Sequence, residues 1–170
     1  MNGVRWLVAA VALCAVQFQK RQADVTRETF ARASLELATG QEVSLRYRTI
    51  SWSSEGTRRM RTDPEVRGQM NRRLELGMQT EFKTPVALSL NGRRLEPDAY
   101  RIGLFMNDAG AYEFTMLLDH DTVRFPIDLS ESRHSFPYLT FSLAPAEEGL
   151  FALVIQWGSE YGRVVFARAG

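Results

Sequence analysis

The chain has 170 residues, of which 45% are apolar and 24% are charged, and its 21 basic and 20 acidic side chains leave a formal net charge of +1 at pH 7. This composition is typical of one globular domain and excludes a disordered, collagen-like or multi-spanning chain. A near-neutral chain also argues against a nucleic-acid partner, because domains that bind nucleic acid usually carry a strong basic excess.

The first residues have the order of an export signal. Arg5 precedes an apolar run from Trp6 to Val16, and polar residues follow the run. Such a run, as a helix, spans about 16 Å, which is too short for a bilayer core of roughly 30 Å. The pattern predicts a signal peptide or N-terminal anchor over residues 1–22. We therefore expect an exported protein, periplasmic or associated with the cell envelope.

Cys14 is the single cysteine of the chain and lies inside this segment. Lipid attachment at Cys14 stays open as an alternative to simple cleavage. The protein would then contact a membrane only through this N-terminal segment. A mature domain without the segment has no cysteine and forms no internal disulfide.

Beyond residue 33 the chain alternates apolar and polar residues, which is the pattern of half-buried strands. Val43, Leu45 and Tyr47 are the clearest example. Turn residues separate such runs, among them Thr39-Gly40 and Asn91-Gly92, and Asn-Gly is a strong hairpin signal because both residues tolerate positive φ. About nine short strands predict an all-β fold, a single antiparallel β-sandwich over residues 34–170, preceded by a linker at residues 23–33.

One segment has the features of a helix. Asp63-Pro64-Glu65 combines a capping side chain, a proline suited to the first turn and an acid beside the helix N-terminus. Apolar residues then recur every four positions, at Val66, Met70 and Leu74. The pattern predicts one short helix from Pro64 to about Leu76, with Gly77 as its stop.

An arginine-rich stretch carries the main binding candidates. Arg58, Arg59, Arg61, Arg72 and Arg73 lie on it, and Trp52 precedes it. The functional interpretation is a site for an anion, such as a phosphate, a carboxylated sugar or a lipid head group. The alternative is a solvated surface with partial salt bridging. Trp52, Trp157 and several tyrosines could also form a sugar-stacking surface, although we expect Trp157 in the core because it continues the alternation of Leu153 and Ile155.

Metal and catalytic signals are weak. Asp119-His120-Asp121 has metal-ligand residue types, but neighbouring strand residues point to opposite faces, so we expect a polar turn and keep Asp119 and Asp121 only as weak candidates. His134 lies in a polar stretch that is typical of a loop. Neither histidine has a nucleophile pattern around it, so we predict no catalytic residues and no cofactor.

The order of these features resembles the bacterial family called domain of unknown function 2911, whose members typically carry an export signal and one β-rich domain. Residues 34–47 resemble its opening strand pair, and residues 80–105 give the most specific resemblance. There the family's strand, glycine turn, leucine, proline- or glycine-type turn, and tyrosine that opens an apolar strand correspond in order to Val86, Gly92, Leu95, Pro97 and Tyr100. Residues 121–127 resemble a later strand, and residues 153–166 resemble the closing pair. The resemblance implies an antiparallel β-sandwich and implies no activity.

The leading hypothesis is a non-enzymatic, exported domain that binds a small ligand or an envelope protein. The alternative is a carbohydrate- or lipid-directed hydrolase or isomerase whose carboxylates the fold brings together, with Asp119 or Asp121 beside the arginines. A third hypothesis is an assembly protein that pairs through an exposed strand edge.

Overall fold

The computed structural model describes residues 30–75, 80–146 and 150–169 and folds them into two antiparallel sheets and two helices. The predicted β-sandwich is therefore confirmed. The helices are α1 (Ser54–Thr62) and α2 (Pro64–Glu75). The strands are β1 (Phe30–Glu36), β2 (Glu42–Arg48), β3 (Thr80–Thr84), β4 (Leu88–Leu90), β5 (Arg93–Leu95), β6 (Asp98–Met106), β7 (Tyr112–Leu118), β8 (Asp121–Pro126), β9 (Leu129–Ala144) and β10 (Phe151–Arg168).

The larger sheet has the strand order β1-β2-β3-β6-β7-β8, and the smaller sheet has the order β5-β4-β10-β9. A stack of phenylalanines joins them. The Phe166 ring of β10 lies 5.1 Å from the rings of both Phe82 on β3 and Phe151 on β10, and it meets Phe114 of β7 edge-on. All four are fully buried. Burial of such large rings is the main force that holds two sheets face to face.

The predicted turns are confirmed where the structure describes them. Asn91 and Gly92 adopt φ values of 49° and 79° and join β4 to β5, as a primed hairpin turn requires. Gly40 adopts a φ of 76° between β1 and β2. Asp119 and His120 form the turn between β7 and β8, and Asp121 opens β8 opposite Leu118.

The predicted helix is confirmed as α2, which lies across the outer face of β6. Asp63 caps it by accepting bonds from the backbone N–H groups of Glu65 and Val66. Gly103 permits the close approach, because a Cβ there would lie 2.7 Å from the carbonyl oxygen of Glu75. Buried Asn71 fixes the helix on β6 by exchanging two hydrogen bonds with the backbone of one strand residue, Met106.

The structure differs from the sequence-based predictions at three places. Helix α1 was not predicted. The polar stretch around His134 was predicted as a loop, but it lies within β9, where its side chains are mostly exposed and residues 132–135 fall between the residues that pair with β10. Strand β1 begins at Phe30, ahead of the boundary placed at residue 34. The predicted signal over residues 1–22 and the stop at Gly77 lie outside the described residues.

No helix among the described residues is both long enough and apolar enough to cross a bilayer.

Candidate ligand-binding cleft

A cleft of about 370 Å³ opens between α1 and the middle of β10. Its volume falls in the range of small-molecule sites. The segment before α1 and the helix itself form one wall, and β10 forms the other. The lining residues are Trp52, Ser54, Thr57, Arg58, Arg61, Thr62, Ser159 and Glu160.

Trp52 is held at the rim by the backbone of β9 and β10. The backbone N–H of Trp52 donates to the carbonyl of Pro137 on β9 at 2.9 Å. The indole lies directly over Gly158 of β10, where a Cβ would lie 2.6 Å from Cδ2 of the ring and closer still to Cε2 and Nε1. Gly158 also has a φ of 63°, which favours glycine. A glycine is therefore required here both by the backbone and by the ring above it.

The pairing of β10 with β9 is interrupted beside Glu160. The register shifts between Gln156 and Gly158 and again between Gly158 and Glu160, and the extra residues lie on β9. On β10 the odd-numbered residues face the core before this stretch, as at Trp157, and the even-numbered residues do after it, as at Val164. Glu160 therefore shares the inward phase, and its side chain is only 18% exposed. Bulges often re-aim side chains beside binding sites.

Two ion pairs balance the charge of the cleft. Arg61 of α1 donates to Oε1 of Glu160 across the cleft. Arg58 donates two bonds to Glu55, one turn back on the same helix, at 2.7 and 2.9 Å. This hydrogen bonding lowers the pKa of the Glu55 carboxyl below its usual value. Because both guanidinium groups already face a carboxylate, the cleft has no excess of positive charge to attract an anion.

A small inner cavity of about 10 Å³ adjoins Glu160. Tyr112 of β7, Trp157 and Glu160 line it together with apolar side chains, and only apolar atoms face it. Tyr112 Oη, Trp157 Nε1 and Glu160 Oε2 are buried and have no hydrogen-bond partner among the described residues. Burial raises the pKa of Tyr112, and the Glu160 carboxylate raises it further, while the Arg61 guanidinium opposes both.

The structure brings three of the predicted binding residues together and leaves the others apart. Trp52, Arg58 and Arg61 line the cleft, whereas Arg59, Arg72 and Arg73 are exposed on α1 and α2 and do not line it. Trp157 lies in the core at 5% exposure, as predicted.

The acids of the β7–β8 turn lie far from the cleft. Tyr112 begins β7 beside the inner cavity, and the turn that holds Asp119 and Asp121 follows the other end of this strand, about 20 Å away at 3.3 Å per residue. Asp119 and Asp121 therefore do not join Arg58 and Arg61 at the cleft. No group of three metal-ligand side chains occurs within residues 30–75, 80–146 and 150–169.

Sequence reasoning missed Glu160, Ser159, Thr57 and Tyr112. The signal for Glu160 is the run Gly158-Ser159-Glu160-Tyr161-Gly162, where two glycines interrupt a strand, because an isolated strand glycine often marks a bulge. Tyr112 offers no such signal, because its alternation with Phe114 and Met116 is that of any core residue.

The fold and the cleft together define a β-sandwich domain with a candidate small-ligand site. Comparison with known proteins adds no relative: no family model, no curated protein and no solved structure matches the chain.

Proposed function

We propose that this chain is an exported, non-enzymatic binding domain that takes up a small polar ligand in the cleft between α1 and β10. The observation that carries the proposal is the convergence of an indole, four hydroxyl side chains and a cross-cleft ion pair around about 370 Å³ of space. Small-molecule sites typically combine an apolar surface with a few converging polar groups. The bulged pairing of β9 with β10 lies beside Glu160, where β10 forms one wall of the cleft.

The binding interpretation has more support than the hydrolase alternative. Glycosidase chemistry uses two carboxyl groups about 5–10 Å apart on either side of the scissile bond. The described cleft lining contains one, Glu160, and its Oε1 is bonded to Arg61. A single paired carboxylate suits recognition of a ligand rather than general acid and base catalysis.

Export and family membership are parts of the proposal that rest on the sequence. The order of charge, apolar run and polar residues over residues 1–22 supports export. The resemblance to domain of unknown function 2911 supports kinship with other exported β-sandwich proteins. Intact mass of the chain recovered from the periplasm of an expressing bacterium tests the first part. We expect a loss that corresponds to cleavage near residue 22, or a lipid on Cys14; the uncut chain found in the cytoplasm contradicts it.

The binding proposal is tested by titrating the exported protein with probes of different chemistry while tryptophan fluorescence is recorded. The probes are hexoses, glucuronate, inorganic phosphate and myristate. We expect saturable binding of at least one probe, and we expect Trp52→Ala to abolish it. Arg72→Ala is the control, because it removes an exposed arginine of α2 outside the cleft and should leave binding unchanged. Failure of every probe at millimolar concentration, or binding that Trp52→Ala does not affect, overturns the proposal.

A further inference from the structure

We propose that two copies of this chain pair through strand β1, so that their larger sheets join into one antiparallel sheet about a two-fold axis at Ser34. This inference goes beyond the proposed function and does not depend on the cleft. β1 is the edge strand of the larger sheet, and within the described residues it pairs only with β2. β9 of the other sheet lies near β1, but no backbone bond or bridge joins the two in the part of the chain that the structure describes. An open edge of this kind is a template for another strand.

The backbone of β1 shows which groups this edge offers. At the turn between β1 and β2, the N–H of Leu37 donates to the carbonyl of Gln41 at 2.7 Å, so these residues form a hydrogen-bonded pair. Antiparallel strands alternate hydrogen-bonded with non-hydrogen-bonded pairs. The odd-numbered residues of β1 therefore bond to β2, and the even-numbered residues point their N–H and C=O groups away from it. The side chains of the even-numbered residues Arg32, Ser34 and Glu36 are exposed on the outer face of the sheet.

The charges on this outer face are arranged in like pairs. Arg32 lies opposite Arg46 of β2, and Glu36 lies opposite Glu42. Like charges directly opposite each other destabilise a sheet. Arg46 also has Glu81 of β3 on its other side. Arg32, Glu36 and Glu42 form no ion pair with any described residue, so the open side of β1 carries one positive and one negative charge without a partner.

A second β1 that runs antiparallel to the first neutralises both charges when Ser34 lies opposite Ser34 of the other copy. Arg32 of each copy then lies opposite Glu36 of the other, and the free backbone groups exchange about six hydrogen bonds. A slip of two residues, the smallest that keeps the same face outward, removes both Arg–Glu pairs. A slip of four residues places Arg32 opposite Arg32, or Glu36 opposite Glu36. Charge therefore selects the register centred on Ser34.

The inward face of β1 fits the same register. Ala33 would lie opposite Leu35 of the second copy, and Ala31 would lie opposite Leu37. Ala31, Ala33 and Leu35 are only partly buried in the single chain. Small side chains facing large ones pack well, so the pairing covers apolar surface that the single chain leaves exposed.

Charges on an edge strand often serve to prevent pairing. Charges with that role repel a second copy. The two charges of β1 have opposite sign and lie at equal distances on either side of Ser34, so they attract a second copy in the antiparallel arrangement.

The decisive experiment is sedimentation velocity of the purified protein from low-micromolar to near-millimolar concentration. We expect a monomer–dimer equilibrium with a dissociation constant in the micromolar range, because an interface of one strand pair is small. Arg32→Glu or Glu36→Arg alone should weaken the dimer about tenfold or more, because each sets like charges opposite one another on both sides of the axis. Lys83→Glu is the matched control: it reverses an exposed charge on β3, away from the edge, and should leave the dimer unchanged.

The same variants separate association from folding. In the single chain, Arg32→Glu places an acid opposite Arg46 and Glu36→Arg places a base opposite Glu42. Each change replaces a like-charge pair with an opposite pair, so neither should lower stability to urea at low-micromolar protein concentration. An equimolar mixture of the two variants should form a heterodimer, because both charged positions are acidic in one variant and basic in the other.

Three results would overturn the inference. The first is a strict monomer at near-millimolar concentration. The second is a dimer that both single reversals leave intact, because it then forms through another surface. The third is a mixture of the two variants that stays monomeric, because the two-fold register at Ser34 requires them to pair. None of these results bears on ligand binding in the cleft.

Discussion

Substitution of Gly158 tests how the cleft is built. An alanine at this position faces two costs. The left-handed backbone, with φ at 63°, costs a Cβ-bearing residue about 1–2 kcal/mol. The new Cβ would also lie 2.6 Å or less from atoms of the Trp52 ring. Since carbon atoms pack at roughly 3.5–4.0 Å, the ring must move by about 1 Å or more, and such overpacking costs about 1–3 kcal/mol.

We therefore expect Gly158→Ala to lower the free energy of unfolding by about 2–5 kcal/mol, measured by urea denaturation. The matched control is Gly40→Ala. Gly40 has a similar φ of 76°, but nothing lies within 4 Å of the position of its Cβ. The control should lose only about 1 kcal/mol, because its backbone strain is partly offset by the reduced entropy of the unfolded chain.

A double-mutant cycle with Trp52→Ala isolates the contact with the ring. In the Trp52→Ala background, the cost of Gly158→Ala should fall to that of Gly40→Ala, because the obstructing ring is gone. The difference between the two backgrounds is the coupling energy of Gly158 and Trp52. If Gly158→Ala and Gly40→Ala cost the same within about 0.5 kcal/mol in the unmodified chain, the indole does not lie on β10 and the description of the cleft is refuted.

Two other substitutions test the buried polar groups. Burial raises the pKa of Tyr112, so its hydroxyl group keeps its proton in the folded protein above pH 10.0, its ordinary pKa. Unfolding above this pH therefore releases a proton. The free energy of unfolding then falls by about 1.4 kcal/mol per pH unit because of this group. Tyr112→Phe should remove that contribution in urea titrations between pH 9 and 11, and an unchanged slope would show that Tyr112 titrates normally. Asn71→Ala should cost about 2–4 kcal/mol, because it leaves the buried N–H and C=O of Met106 unpaired. The neighbouring exposed change Arg72→Ala should stay within about 0.5 kcal/mol, and equal losses in the two would contradict the assigned contacts.

The strands can be predicted from the sequence wherever one face of the strand is buried and the other is exposed to solvent. Val43, Leu45 and Tyr47 alternate with polar residues, and the structure buries all three. The same rule fails for the stretch of β9 around His134, because its side chains are mostly exposed and give no apolar phase to detect. Its place in the sheet comes from backbone pairing of the flanking residues Ser130, Glu131 and Phe136 with β10, which the side-chain pattern does not encode.

Helix α1 was missed because it carries few apolar residues. Over its nine residues only Thr57 and Met60 are buried, so only two residues mark the helical period in the sequence. Its local signals are the cap at Ser53, whose Oγ accepts from the N–H of Gly56, and the Glu55–Arg58 pair. Such signals are weak without an apolar stripe, and the arginines were therefore interpreted as a loop or a solvated face.

The candidate site was only partly predictable for a related reason. Trp52, Arg58 and Arg61 are candidates by residue type alone, because they are a tryptophan and two arginines of an arginine-rich stretch. The inward position of Glu160 depends on a reversal of the buried phase of β10 beside the bulged pairing with β9, and tertiary packing decides this reversal. The deciding contact of the cleft, between α1 and β10, joins residues almost one hundred positions apart, as the Arg61–Glu160 pair shows.

The most direct test of the account is the indole N–H region of the ¹H–¹⁵N spectrum of the protein, recorded while the probe with the highest affinity is added. Signals of Trp52 and Trp157 are assigned by replacing each with phenylalanine. The account predicts that the Trp52 signal shifts and saturates as the probe is added, and that Glu160→Gln weakens this response, because Trp52 and Glu160 both line the cleft. A titration in which the probe binds while the Trp52 signal stays unmoved would contradict the claim that the cleft holds the ligand.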